Sequence, residues 1–164
     1  MKISNATPND LADIRSVLAE SSLPSRDCEP HLANFFIARL GAKPVGVGGL
    51  ELIGVDGLVR SIAVLPPFRG SGIGRALYQH VADRAIHLGA RRLYLLTESA
   101  EKFFGNLDFA PIARGDTPRT IAGTRQFREL CPRSATVMYR EVVRSVQKHE
   151  TRPPNQRKYA ARRS

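Results

Sequence analysis

The chain has no tryptophan, two cysteines and two methionines among its 164 residues, and aromatics make up only 7%. Two thiols, Cys28 and Cys131, make no disulfide framework. That excludes a small stapled secreted scaffold and leaves free, inert thiols in a reducing compartment as the expectation. No apolar run approaches the ~20 residues of a membrane-spanning helix. The start, Met1-Lys2-Ile3-Ser4-Asn5, has no hydrophobic signal region, so a cytoplasmic location and no membrane partner are expected. The four histidines, His31, His80, His87 and His149, show no ligand spacing with acids or cysteines, and no metal is expected. Acidic residues are also few, 15 against 25 lysines and arginines, for a net charge of +10.

Much of that excess lies after the last apolar strand, in Arg144, Lys148, Arg152, Arg157, Lys158, Arg162 and Arg163. The segment carries Pro153-Pro154-Asn155 and almost no apolar residues, so it cannot bury enough surface to fold alone. We read residues 1–144 as one domain and residues 145–164 as a basic, flexible tail. A tail without interleaved aromatics beyond Tyr159 is a poor nucleic-acid reader, and nucleic acid is not an expected partner.

What the chain does have is hydrophobic periodicity. Residues 2–6 alternate as an opening strand. Thr7-Pro8-Asn9-Asp10 is helix-start chemistry, and Leu11, Ile14, Val17 and Leu18 recur at helical spacing. Residues 21–30 read as a polar loop with a short second helix. Strands are expected over 35–40, 44–53 and 58–65, with Asp56-Gly57 as the hairpin turn between the last two. Gly46, Gly48 and Gly49 mark thin backbone or a bulge. A long helix ends at Gly89, followed by a strand at 92–97, a helix at 99–106, a strand at 109–113, helical turns within 117–130 and a closing strand at 135–142. The fold class is α/β with a mixed sheet.

The most informative segment joins the strand at 58–65 to the long helix: Arg69-Gly70-Ser71-Gly72-Ile73-Gly74. A glycine-rich turn opening a helix presents unpaired backbone N–H groups at a positive helix end, which suits a pyrophosphate. Arg69 and Arg75 add cations at the same place. A Walker loop needs Gly-Lys-Ser/Thr where this chain has Gly74-Arg75-Ala76. The dinucleotide fingerprint needs G-x-G-x-x-G, whereas Gly70, Gly72 and Gly74 alternate.

The spacing Arg69-x-x-Gly72-x-Gly74, preceded by Ile62-Ala63-Val64-Leu65-Pro66, resembles the acyl-CoA pyrophosphate loop and fourth strand of the GNAT N-acetyltransferases. The element order over residues 1–142 is similar to that fold as well. A narrower resemblance, to the arsenic-resistance branch of amino-acid N-acetyltransferases, lies in Leu58-Val59-Arg60-Ser61, Leu93-Tyr94-Leu95-Leu96-Thr97, Phe103-Phe104 and Leu130-Cys131-Pro132-Arg133-Ser134-Ala135. The resemblance implies a mostly antiparallel sheet whose fourth and fifth strands splay at a bulge. It implies acetyl-CoA as donor and a small amine, amino-acid-like or arsenic-bearing, as acceptor; a homodimer is common among such proteins.

Carried over residue by residue, the resemblance assigns the pyrophosphate to Arg69, Gly70, Ser71, Gly72, Ile73, Gly74 and Arg75, and the pantetheine arm to the backbone of Ile62, Ala63 and Val64. The Ile62 N–H is implied as the oxyanion donor. Thr97 stands where such proteins often carry Asn, and Phe104 where many carry the tyrosine that protonates the leaving sulfur. Phenylalanine donates no proton, so another group or a water serves, or turnover is low. Asp108-Phe109 likewise replaces the usual Gly-Phe. Glu51 and Glu98 are both candidates for the base. Arg60, with Ser61, is a candidate clamp for a substrate carboxylate or similar oxyanion. Acetylation of a protein amine and non-catalytic acyl-CoA binding remain alternatives at this point.

Overall fold

In a computed structural model that describes residues 1–142, the apolar segments assemble into seven strands and four α-helices. The strands are β1 (Lys2–Asn5), β2 (Phe35–Leu40), β3 (Lys43–Ile53), β4 (Asp56–Val64), β5 (Arg92–Thr97), β6 (Ala110–Ile112) and β7 (Thr136–Glu141). The helices are α1 (Leu11–Glu20), α2 (Ile73–His87), α3 (Glu101–Gly105) and α4 (Arg119–Ala122). The expected tail at 145–164, and the boundary at 144, lie outside the described residues. No helix among the described residues is long and apolar enough to cross a membrane.

One sheet runs β1-β2-β3-β4-β5-β7-β6, antiparallel except for the β4–β5 pair. Period-two alternation in β2 sends Phe36 and Ala38 to one face and Phe35 and Ile37 to the other, and both faces are covered. On the first, α2 packs Leu77, Val81 and Ala85, four residues apart, against Leu50, Val59 and Leu93. On the second, Ile14, Val17 and Leu18 of α1 cover Phe35, Ile37 and Val47. The mixed sheet inferred from sequence is the one observed.

The β3–β4 hairpin differs from the expected one. Ile53 pairs with Asp56, so the turn is Gly54-Val55, with Gly54 at φ +61°, and Asp56-Gly57 is the first part of β4. Asp56 is buried because its carboxylate is taken: Arg92 Nε donates to it at 2.6 Å and the Thr120 hydroxyl at 2.6 Å.

A second irregularity shapes everything that follows. Gly46 and Val47 pair with Val64 and Ala63, but Gly49 pairs with Arg60, so β4 carries one extra residue opposite Gly48. This is a β-bulge at Ser61-Ile62, and Ser61 sits at φ +59°. Gly48 makes room for it: a Cβ there would lie 2.7 Å from Ile62 Cδ1.

Asp108 is also left-handed, at φ +66°, in the turn between α3 and β6. Aspartate tolerates that region better than most residues, and glycine better still. Replacing Asp108 by Gly should therefore be neutral or stabilising by up to about 1 kcal/mol, read as the denaturation midpoint; a loss of stability would show that glycine's freedom in the unfolded chain, with the lost 3.9 Å approach of Arg140, outweighs the strain.

Candidate active site

The β4–β5 ladder holds only from Asp56–Arg92 to Leu58–Tyr94. Beyond it β4 keeps to β3 and β5 keeps to β7, and the two strands part. A cavity of about 730 Å³ opens in the gap. Its walls are the bulged half of β4 and the end of β5, its mouth is the glycine loop, and the loops at 21–24 and 130–132 close the other side. Strand separation of this kind leaves backbone N–H and C=O groups turned toward a ligand rather than toward a neighbouring strand.

The glycine loop folds as its sequence suggests. Pro66–Phe68 make a single 3-10 turn, and Gly70 and Gly72 follow at φ +76° and +85°. Gly72 is the N-cap of α2, so the next N–H groups, of Ile73, Gly74 and Arg75, have no partner within the helix. A Cβ at Gly70 or Gly72 would meet nothing within 4 Å, so the space over the helix end is open. At Gly74 a Cβ would press on Phe103 Cζ at 3.3 Å. Arg69 is pinned by Nε donating to Val64 O at 2.8 Å, and Arg75, in the first turn of α2, is exposed and lines the same cavity. Open glycine backbone, a helix N-terminus and two arginines are the provisions a pyrophosphate needs, and the splayed strands match a linear amide-bearing arm. The residues present fit a CoA-type ligand.

Of the residues expected to hold the donor, all lie on the cavity wall except Ser71, whose hydroxyl donates to Phe68 O within the loop. Thr97 is buried on the wall, and its Oγ1 accepts from Ala100 N at 2.9 Å, starting α3; its own O–H remains a donor. Phe104 lines the cavity with no hydroxyl, stacked edge-on between Phe103 and Phe109.

The two candidate bases separate. Glu98 is exposed and on the cavity wall. Glu51 is not on that wall; its Oε2 lies 3.5 Å from Arg60 Nη1 and 3.7 Å from His31 Nε2. Arg60 and Ser61 both line the cavity, yet the clamp role does not suit Arg60. Its guanidinium is fully buried and its two terminal nitrogens are bound to the two carboxylate oxygens of Asp27, Nη1 to Oδ2 at 2.7 Å and Nη2 to Oδ1. A bidentate partner already in place leaves no fork for a substrate carboxylate.

Burial alone would push the Asp27 carboxyl up, but hydrogen bonds and charge from Arg60, with a contribution from His31, hold it below the ordinary value of 3.8. A carboxylate lowered on folding stabilises the fold above its unfolded pKa, and the contribution is lost as pH falls through the folded one. The destabilisation caused by Asp27→Asn should therefore be largest near neutrality and shrink from about pH 5 downward, measured by urea denaturation of both chains across pH. A difference that stays constant into acid would contradict the pairing.

Sequence reasoning missed Gln126, a buried residue of the cavity wall with no motif around it. Its Nε2 donates to Cys131 Sγ at 3.1 Å, and its Oε1 is buried with no partner among the described residues. Burial pushes the Cys131 thiol up against that opposing hydrogen bond, so the thiolate is disfavoured at neutral pH. Cys28 is fully buried and its S–H donates to Ser25 O at 3.2 Å. Among the described residues no group of three or more His, Cys, Asp or Glu side chains is placed to hold a metal ion.

Solved structures share this architecture. N-acetylglutamate synthase from Neisseria gonorrhoeae, complexed with coenzyme A and N-acetyl-glutamate, superposes with a TM-score of 0.77 at 22% identity over 87% of this chain. The chain spans only 35% of that protein. A Mycobacterium tuberculosis protein in complex with CoA gives 0.74 at 21% identity, covering 87% of this chain and 100% of its own. The ribosomal-protein alanine N-acetyltransferase of Escherichia coli gives 0.66 at 19%, covering 90% of this chain and 97% of its own. These likenesses are of fold. No curated protein matches the chain. The family model for the acetyltransferase (GNAT) family matches residues 8–109, which span the bulged strand, the glycine loop and β5; the chain belongs to that family.

Proposed function

We propose that the protein transfers an acetyl group from acetyl-CoA to the amine of a small acceptor by direct attack with both substrates bound. The observation that carries this reading is the parting of β4 from β5 after Leu58–Tyr94, with an N–H-rich glycine loop at the mouth of the gap. Bound there, acetyl-CoA would supply an acyl group activated as a thioester. The chain's part is to orient it and to move protons. The loop from Arg69 to Arg75 holds the diphosphate, and the backbone of Ile62, Ala63 and Val64 aligns the arm. The Ile62 N–H donates to the carbonyl oxygen as charge develops on it. Glu98 is the better base of the two, since it faces the cavity and can take the amine proton directly or through one water.

The acceptor is the finer question. Resemblance to the arsenic-resistance branch favours an amino-acid-like acceptor, including arsenic-bearing ones, and the coenzyme A complexes of the neighbouring synthase and mycobacterial protein are in keeping with the donor. Phe104 in place of a phenol is the observation that favours acyl-CoA binding without turnover. The E. coli neighbour's name keeps a protein amine in view.

The test is CoA-thiol release from acetyl-CoA across amino acids, phosphinothricin-like and arsenic-bearing analogues, polyamines and a basic peptide. Release with one of the small amines is expected. Release with the peptide alone would move the acceptor to protein, and donor binding without release for any amine would favour a binding module.

A further inference from the structure

We propose that Asp27 is a positioning residue for acetyl transfer, acting through Arg60 to hold the β4 bulge that aims the Ile62 N–H into the cavity. This rests on the reading of the cavity as an acetyl-donor site.

The bulge is the part of the wall that a regular strand would not supply. Ser61 and Ile62 face Gly48 without a register partner of their own, and Ser61 is held in the left-handed region without being glycine. A non-glycine residue persists there only when its surroundings over-determine it. The neighbouring residue provides that constraint. Arg60 is anchored on the α1 face of the sheet by both Asp27 oxygens, lies 3.5 Å from Glu51 Oε2, packs over the Phe35 ring at 5.8 Å, and approaches Ser61 Oγ with Nε at 3.4 Å. With Arg60 fixed on that face and Ala63 packed in the same α1-side cluster, two same-facing residues lie three apart. Period-two alternation allows this only with one extra residue between them. Release of Arg60 lets β4 return to regular pairing, which turns the intervening side chains to the other face and swings their in-plane amides from one edge of the strand to the other.

Asp27 is itself held. It closes the loop that follows α1, whose residues at 21–24 form part of the cavity wall, and the Cys28 S–H to Ser25 O bond fixes the loop just beside it. The ion pair therefore joins the acceptor-side loop to the donor-side oxyanion position across 33 residues of sequence. Both partners are buried, so neither is a solvated surface charge.

The experiment is amide NMR on the full chain, titrated with acetyl-CoA and separately with CoA; the difference between the two reports contact with the acetyl carbonyl. In the parent chain the Ile62 amide should distinguish acetyl-CoA from CoA, while Gly72 and Gly74 respond alike to both. In Asp27→Asn the Ile62 difference should vanish while the Gly72 and Gly74 responses and CoA affinity persist. Turnover should fall about 100-fold in kcat, as for a misplaced reacting group, and Asp27→Glu should restore part of it. Asp27→Asn leaves Arg60 with Glu51, at 3.5 Å, as its remaining anionic partner, so Asp27→Leu combined with Arg60→Met, which removes both charges of the buried pair, serves where the single variant does not fold. A folded variant in which Ile62 still distinguishes the two ligands overturns the proposal. So does loss of the loop response together with that of Ile62, or failure of the double variant to fold, since either makes the pair purely structural. If Gly72 and Gly74 in the parent chain ignore CoA, the donor-site reading itself fails and takes this inference with it.

Discussion

Gly72→Val raises the dissociation constant for acetyl-CoA at least about tenfold, or 1.4 kcal/mol, in a calorimetric titration. Gly72 is the N-cap of α2 at φ +85° with open space above it. A β-branched residue is strained in that region, so the turn must rearrange and the N–H groups of Ile73, Gly74 and Arg75 lose their common aim. The added side chain also occupies the space an approaching phosphate would need. Strain alone would lower stability without changing affinity, so a thermal midpoint measured on the same sample separates the two effects. Unchanged affinity in a folded variant would remove the loop from the donor site.

Glu98→Gln lowers kcat about 100-fold or more while leaving donor affinity within twofold, the range expected for loss of a general base. The amide keeps the size and the hydrogen-bonding capacity of the side chain but cannot accept the amine proton. The acid limb of the pH–kcat profile should flatten. Glu51→Gln makes the contrast, because Glu51 faces Arg60 and His31 rather than the cavity. A superimposable profile for Glu98→Gln, with a flattened one for Glu51→Gln, would reverse the assignment and require a proton path past Arg60.

The local structure proposed to hold the donor was legible in the sequence because it is contiguous. A strand, a glycine-rich turn and a helix lie in unbroken succession from Asp56 to His87, and the turn's conformational demands fall on glycines. Strand identities followed from period-two alternation, and β2 is observed over the residues expected, Phe35–Leu40. The hairpin was misplaced because Gly54-Val55 and Asp56-Gly57 stand side by side, and composition cannot say which pair turns; the distant Arg92 and Thr120 decide by binding Asp56 in the strand. The same limit applies to Arg60. Its sequence neighbours give no hint of Asp27, which lies in a loop without periodicity, so a buried, neutralised arginine read as an available one. The cavity wall opposite the glycine loop was the least legible for that reason: the loop at 21–24, Gln126 and Cys131 meet only in three dimensions.

Calorimetric titration of the full chain with acetyl-CoA tests the central claim most directly. The account predicts saturable binding of one equivalent, competed by CoA. It also predicts weakening when Arg69 and Arg75 are replaced by Gln, because a diphosphate at the proposed site would lose two nearby positive charges. Absence of binding by the folded chain, or binding indifferent to those two arginines and to Gly72, would contradict the assignment of the gap between β4 and β5 as the acetyl-donor site.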